Sequence, residues 1–193
     1  MSAIPMKLVV LVGSVRQGSY NAAIARALHQ LVPAGVTVEI LPSVAGLPIY
    51  DADLQAAGFP EAVTRMADAI RAADGLVIVT PEYNYSVPGG LKNAIDWLSR
   101  LSPQPLAGKP ILIQSASMGV FGGARAQYHL RQILVFLNGM VMNTPEAMVG
   151  AAHTKVDANG QLSDPLTRDF LAKQLQHFHT YVRRISAGAR IDG

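Results

Sequence analysis

A segment near the N-terminus combines glycines with polar side chains that can bind an anion. This first loop, residues 13–21, reads Gly-Ser-Val-Arg-Gln-Gly-Ser-Tyr-Asn. Ser14, Ser19 and Asn21 offer hydroxyl and amide groups. Arg16 adds a guanidinium, and a helix that begins here adds free backbone N–H groups. Helix capping alone explains one such residue but hardly four. The first loop therefore predicts a site for a terminal phosphate.

The glycine spacing of the first loop excludes two common nucleotide motifs. Gly13 and Gly18 have the separation of a Walker P-loop. However, Ser19 and Tyr20 follow where that motif requires Lys and then Ser or Thr. Val15 stands where a dinucleotide motif has the second glycine, which lets a pyrophosphate approach. The first loop therefore suits a mononucleotide better than a nucleoside triphosphate or a dinucleotide.

A second loop mixes aromatic, rigid and hydrogen-bonding residues immediately before a predicted helix. It spans residues 81–90 and reads Pro-Glu-Tyr-Asn-Tyr-Ser-Val-Pro-Gly-Gly. The prolines restrict the backbone, so its N–H and C=O groups can meet the polar edge of a flat ring while the tyrosines contact its face. The second loop predicts a cradle for a heteroaromatic ring. The alternative is a proline-rich turn whose tyrosines only pack.

A third loop, residues 115–123, places small residues ahead of another predicted helix at residues 124–138. N–H groups at a helix start favour a developing negative charge, and we expect those of Ser117 to Gly119 to lie there. Glycines also simply turn a chain, so this loop alone does not decide between the two interpretations.

Short apolar runs alternate with helical patterns, and this alternation positions the three loops. The runs predict strands at residues 8–12, 37–41, 76–80, 111–115 and 140–142. Their continuous apolar character is typical of parallel strands covered on both faces. Five strands alternating with five helices predict a doubly wound α/β sheet, in the Rossmann-like or the flavodoxin-like order 2-1-3-4-5. The three loops then open at the carboxyl edge of the sheet, where ligands bind.

Composition favours one soluble domain over residues 1–193. Half of the residues are hydrophobic (50%), which excludes a disordered chain, and no repeat or low-complexity segment divides the sequence. No apolar run is long enough to cross a membrane, and the first one stops at Gly13, so no secretory signal is predicted. The absence of cysteine is compatible with a reducing cytoplasm. It also requires any redox chemistry to use a bound cofactor.

Charge and histidine positions exclude other partners. The formal net charge is +3, but the basic residues are scattered, so no nucleic-acid partner is expected, whereas anionic small ligands are favoured. His177 and His179 are two positions apart on a predicted helix and cannot share a metal ion there. The segment that starts at Asp157 lacks the final Glu of a calcium loop and predicts a turn. No metal site is predicted.

At the three loops the sequence resembles the NAD(P)H-dependent FMN reductase family, flavodoxin-like flavoproteins that include quinone, azo-dye and chromate reductases. Residues 13–21 resemble the family's Gly-Ser-x-Arg-x-x-Ser-x-Asn phosphate loop, and residues 81–89 resemble its flavin-ring loop. The similarity continues through residues 91–97, through Ser117, Gly119, Gly122 and Gly123, and into Arg125-Ala126-Gln127. It covers about residues 6 to 150.

The resemblance implies a flavodoxin-like sheet and an FMN site. By that resemblance the polar residues of the first loop hold the FMN phosphate. Glu82, Tyr83 and Asn84 contact the isoalloxazine ring, and Ser117 and Gly119 lie near its other edge. The full set of predicted cofactor-binding residues is Ser14, Arg16, Ser19, Tyr20, Asn21, Pro81, Glu82, Tyr83, Asn84, Tyr85, Ser117 and Gly119.

The same resemblance implies hydride transfer from NADPH or NADH to FMN, and then to a small-molecule acceptor such as a quinone, a chromate, azo or nitro compound, or free flavin. No side chain is assigned a catalytic role, because the flavin carries the hydride. The alternative is a flavodoxin-like electron carrier without its own substrate. Such carriers resemble strongly acidic proteins, whereas this chain is basic, so the enzyme is favoured.

The predicted helix at residues 124–138 is apolar on more faces than one sheet contact requires. Its apolar residues are Tyr128, Ile133, Leu134, Val135, Phe136 and Leu137. The surplus predicts a homodimer or homotetramer, with a deeply buried helix as the alternative. Arg125, Arg131 and Glu146 are candidates for ion pairs at such a contact, and the family resemblance likewise implies oligomers.

Overall fold

A parallel sheet forms the centre of the computed structural model, which describes residues 5–188; the two ends of the predicted domain lie outside the described residues. The strands are β1 (Met6–Val12), β2 (Val36–Ile40), β3 (Gly75–Thr80), β4 (Pro110–Ala116), β5 (Met140–Val141) and β6 (Ala147–Val149). Their order is β2-β1-β3-β4-β5, with all of these pairs parallel. The flavodoxin-like order is therefore confirmed, and the Rossmann-like alternative is wrong.

The fifth position of the sheet is divided between two short strands. β5 pairs with Pro110 and Ile111 at the start of β4, whereas β6 pairs with the last residues of β4. Pro145, which has no N–H to donate to a ladder, stands between β5 and β6. β6 is not among the strands predicted from the sequence, because a strand of three residues has no recognisable periodicity.

Within residues 5–188, six α-helices connect and flank the strands, one more than predicted. They are α1 (Tyr20–Leu31), α2 (Ala52–Ala57), α3 (Glu61–Ala72), α4 (Gly89–Leu98), α5 (Ala124–Phe136) and α6 (Pro165–Gly188). The additional helix, α2, lies between β2 and α3. It begins after Asp51, whose carboxylate accepts a hydrogen bond from the N–H of Asp53 at 2.8 Å. α2 is too short to show a helical apolar pattern.

Helices cover the sheet on both faces, which explains why the central strands β3 and β4 are buried throughout. Every residue of β3 and β4 is buried. α1 and α6 pack on one face, where Leu28 and Phe178 enter the core. α3, α4 and α5 pack on the other, through residues such as Ile70, Ile95 and Leu130. The two cores hold the strands rigidly, so the loops at the carboxyl edge start from fixed points.

The connection to α6 contains the turn that the sequence predicts at Asp157. The Asp157 carboxylate accepts hydrogen bonds from the N–H groups of Asn159 and Gln161, each at 2.9 Å. An Asp side chain commonly closes a turn in this way, and the prediction is confirmed. Between residues 5 and 188, no helix is both long and apolar enough to cross a membrane.

Candidate functional site

The three loops meet at one edge of the sheet, as predicted. β1 pairs with β3 and β3 with β4, so the loops that follow these strands are neighbours. Two side-chain contacts join them. Asn21 of the first loop bonds to Ala116 in the third loop, and Glu82 of the second loop bonds to Arg125 directly after the third. Neither contact was predicted.

The first loop leads into the N-terminus of α1 and leaves backbone N–H groups available. Ser19 is the N-cap residue, and its hydroxyl accepts a hydrogen bond from the N–H of Ala22 at 3.3 Å. Within the described part of the chain, the N–H groups of Gln17, Gly18 and Tyr20 have no hydrogen-bond partner. Such N–H groups at a helix N-terminus form a site for an anion.

Side chains around the first loop add positive charge and an aromatic surface. The exposed guanidinium of Arg16 lies 5.1 Å from the centre of the Tyr20 ring. The hydroxyl of Ser14 accepts a hydrogen bond from the N–H of Arg16 at 3.4 Å. A groove of about 470 Å³ separates residues 17–20 from the segment at residues 153–160. The first loop is therefore open to a ligand on its outer side.

Asn21 lies in the interior instead of at the surface of the first loop. Its Nδ2 donates to the carbonyl oxygen of Ala116 and its Oδ1 accepts from the N–H of the same residue, both at 2.9 Å. The side chain was expected to hold a phosphate. In the structure it instead holds the start of α1 against the end of β4.

The second loop forms a tight hairpin turn that directs its polar and aromatic side chains outward. Tyr83 and Ser86 exchange two backbone hydrogen bonds of 3.0 Å, and Asn84 and Tyr85 have φ angles of 49° and 68°. Two successive positive φ angles are the mark of a type I′ turn. Pro81 is buried beneath this turn, whereas the side chains of residues 83–85 are exposed at the sheet edge.

The carboxylate of Glu82 caps α5 across the gap between two loops. It accepts hydrogen bonds from the N–H groups of Arg125 at 2.9 Å and Ala126 at 3.2 Å. Gly123, the N-cap residue of α5, has no side chain to do this. From the sequence, Glu82 is expected to contact a ring. The structure directs its carboxylate to the helix N-terminus, where negative charge is favoured.

Arg125 lies between the second and third loops. Its guanidinium stands 3.9 Å from the centre of the Tyr85 ring and 4.5 Å from that of Phe121, and it pairs with Glu82 at 3.2 Å. A guanidinium stacks well on aromatic faces. Arg125, proposed from the sequence as a subunit contact, thus has partners in its own chain. Arg131 likewise pairs with Glu146, at 3.3 Å.

The third loop presents an apolar tip and backbone N–H groups that are available to a ligand. Met118, Val120 and Phe121 are exposed. Within residues 5–188, the N–H groups of Met118 and Gly119 have no partner. The Ser117 hydroxyl donates to the carbonyl oxygen of Gly119 at 3.1 Å. α5 begins at Ala124, where the helix was predicted to start, so Ser117 to Gly119 precede the first turn of α5 and are separated from it by Gly122 and Gly123.

These features fit FMN, the group that the resemblance implies. The first loop offers unpaired N–H groups, the α1 N-terminus and Arg16 to a phosphate dianion. The exposed Tyr83, Asn84 and Tyr85 offer aromatic faces and an amide to a flat ring with a polar edge. The available N–H groups of the third loop complete a set of donors at the same sheet edge.

Comparison with known proteins agrees with these features. The family model of the NADPH-dependent FMN reductases matches residues 6–154. A quinone reductase of Escherichia coli strain K12 is 59% identical over 182 residues, which cover 93% of this chain and 97% of that protein. An NAD(P)H-dependent FMN reductase of Pseudomonas aeruginosa is 50% identical over 180 residues, with coverage of 93% and 97%.

The fold comparison points the same way. The solved structure of FerB, a flavoenzyme NAD(P)H:(acceptor) oxidoreductase from Paracoccus denitrificans, matches with a TM-score of 0.83 at 34% identity, and covers 93% of this chain and 98% of that one. The predicted enzyme class, and FMN as a cofactor used together with NAD(P)H, are confirmed. The chain belongs to the NADPH-dependent FMN reductase family.

Proposed function

We propose that this chain oxidises NAD(P)H and reduces a quinone or a similar electrophilic acceptor. The convergence of the three loops at the carboxyl edge of β1, β3 and β4 carries this proposal, because it places anion donors and aromatic faces side by side. The quinone reductase of Escherichia coli supports the choice of acceptor class. In the overall reaction, NAD(P)H and one proton convert a quinone to a hydroquinone.

The first loop binds the phosphate in this proposal. The N–H groups of Gln17, Gly18 and Tyr20 would donate hydrogen bonds to the phosphate oxygens, and Arg16 would add a charge-assisted contact. Ser14 and Ser19 supply hydroxyl groups, of which Ser19 also caps α1. Asn21 acts indirectly, because its amide is occupied by Ala116 and sets the distance from this loop to the third.

The second and third loops orient the ring. Bound FMN supplies the two-electron carrier that a chain without cysteine lacks. Asn84 and Tyr85 are held outward by the type I′ turn, and Arg125 fixes Tyr85 relative to Phe121. The N–H groups of Met118 and Gly119 would stabilise negative charge at the edge of a bound ring. The exposed aromatic and apolar side chains exclude water from the reacting face.

The proposal extends to the domain organisation, the oligomeric state and the cellular location of the enzyme. We propose that residues 1–193 form one domain, that the chain assembles as a homodimer or homotetramer, and that it works in the cytoplasm, where NAD(P)H is supplied. The assembly is supported by the exposed apolar surface of α5, where Val135 and Phe136 are 76% and 89% exposed. A contact with a second copy removes that surface from water.

The deciding experiment measures cofactor binding and reaction on one sample. We expect the purified chain to bind FMN tightly and riboflavin weakly, since riboflavin lacks the phosphate that the first loop holds. Addition of NADPH or NADH without oxygen should bleach the flavin absorption, and benzoquinone should restore it. Steady-state double-reciprocal plots should be parallel, because donor and acceptor take turns at one ring.

Two results contradict the proposal in different ways. A chain that binds FMN but is not bleached by either nicotinamide is an electron carrier and not a reductase. A chain that binds FMN and riboflavin equally well does not use the first loop as a phosphate site. If NADPH or NADH bleaches the flavin absorption but benzoquinone does not restore it, quinones are not acceptors of this enzyme.

A further inference from the structure

A buried glutamine on α5 connects three elements behind the third loop. The Nε2 group of Gln127 donates to Ser115 Oγ and to the carbonyl oxygen of Ala147, both at 2.7 Å. The Ser115 hydroxyl in turn donates to the carbonyl oxygen of Gly122 at 2.6 Å. Gln127 and Ser115 are both 0% exposed. One side chain thus links α5 to β4, to β6 and, through Ser115, to the third loop.

The backbone of the third loop packs closely against β4 and β6, so its conformation depends on the positions of these two strands. Gly122 has a φ angle of 59°, and a Cβ on it would lie 2.5 Å from the carbonyl carbon of Met148 in β6. Gly123 has a φ angle of 91°, and a Cβ there would lie 2.8 Å from Cβ of Ser115. The backbone of the loop therefore rests against the two strands that Gln127 holds together.

The position of Gln127 is not explained by helix packing. α5 needs an apolar residue on its sheet-facing side, and Leu130 and Leu134 supply that elsewhere on the helix. The Oε1 atom of Gln127 is buried without a hydrogen-bond partner among the described residues, which is unfavourable for stability. A leucine of similar size would avoid that cost, so the amide serves the hydrogen bonds to Ser115 and Ala147.

We propose that Gln127 is a positioning residue for the third loop. Through Ser115 and Ala147 it fixes the backbone of residues 117–122, and so sets where the N–H groups of Met118 and Gly119 meet the flavin ring. This role in the reaction rests on the proposed function. The positioning itself is a property of the chain and is measurable without turnover.

The test compares Gln127→Leu with Leu134→Ala, a substitution at a fully buried residue of the same helix that lies outside the hydrogen-bonded chain. Hydrogen exchange on the full chain, before and after FMN addition, should speed up in residues 117–122 for Gln127→Leu and remain unchanged there for Leu134→Ala. FMN should bind about fivefold to tenfold more weakly to Gln127→Leu. The visible spectrum of bound FMN should shift in that variant only.

Ser115→Ala supplies a second variant, because it removes only the hydroxyl and keeps the Cβ against Gly123. If Gln127 and Ser115 act as one connection, the effects of the two substitutions should not add. The variant that carries both Gln127→Leu and Ser115→Ala should then bind FMN no more weakly than whichever single variant has the lower affinity. Unchanged loop exchange and an unchanged flavin spectrum in Gln127→Leu overturn the positioning role. A different outcome separates the two proposals. If hydrogen exchange in residues 117–122 is faster in Gln127→Leu but the wild type does not bind FMN, the proposed function is refuted and the positioning role stands.

Discussion

The side-chain amide of Asn21 pairs with the backbone of Ala116 much as a neighbouring β-strand would. It donates to the carbonyl oxygen and accepts from the N–H group, each at 2.9 Å, in a buried environment. This contact joins the start of α1 to the end of β4. The first loop and the third loop therefore keep a constant separation.

Substitution of Asn21 should affect stability first. Asn21→Ala leaves the N–H and C=O groups of Ala116 buried without partners, which should lower the free energy of unfolding by about 2–3 kcal/mol. Urea unfolding measures the change, with Asn159→Ala in an exposed turn as the control. A variant with wild-type stability and sharply weakened FMN binding would instead assign Asn21 to the phosphate itself.

Arg16 should contribute strongly to the affinity for FMN. Arg16→Ala removes a charge-assisted contact, so the dissociation constant should rise about 10–150-fold. Arg26→Ala is the matched control, because Arg26 lies on α1, the helix that follows the first loop, and its guanidinium already donates to the carbonyl oxygen of Gly160 at 2.9 Å. Flavin fluorescence titration gives both constants. Equal affinity of Arg16→Ala and wild type would remove the first loop as the phosphate site.

The stability of the chain should decrease below pH 6.5 in part through His179. Burial, and secondarily the guanidinium of Arg183, lower the pKa of His179 from its usual 6.5. The folded chain then binds a proton less readily than the unfolded chain. The stabilisation is complete above pH 6.5 and is lost as pH falls through the lower pKa of the folded state.

Urea midpoints between pH 7 and pH 5 check this expectation. The wild type should lose more stability over that range than His179→Gln, which has no imidazole to titrate at this position. His177→Gln, at an exposed position on the same helix, is the control and should keep the wild-type slope. Identical slopes for wild type and His179→Gln would contradict the assignment.

The exposed apolar surface of α5 predicts self-association. Light scattering should give at least twice the chain mass of 20.5 kDa. Phe136→Asp should lower that mass, because a carboxylate in an apolar contact is costly to bury. Leu166→Asp, at an 81% exposed leucine on α6, is the control and should leave the mass unchanged. A wild type that stays monomeric at micromolar concentration would leave the exposure of Phe136 without this explanation.

Local sequence patterns were enough to predict the scaffold and which loops meet at one edge of the sheet. Continuous apolar runs indicated the parallel strands, and polar residues after strands one, three and four indicated which loops meet. The helix start in the first loop was predictable, because capping depends on residues only a few positions apart. β6 and α2 were not predicted, because elements this short have no measurable periodicity.

The roles of individual polar side chains were decided only by the tertiary structure. Asn21 lies 95 positions from Ala116, and Glu82 lies 43 positions from Arg125, yet each pair is in hydrogen-bond contact. A carboxylate or an amide suits a ligand and a buried backbone group equally well, so residue type alone does not choose between them. Packing of α1 and α5 against the sheet makes that choice, because it determines which donors and acceptors are removed from water and must find partners inside the protein.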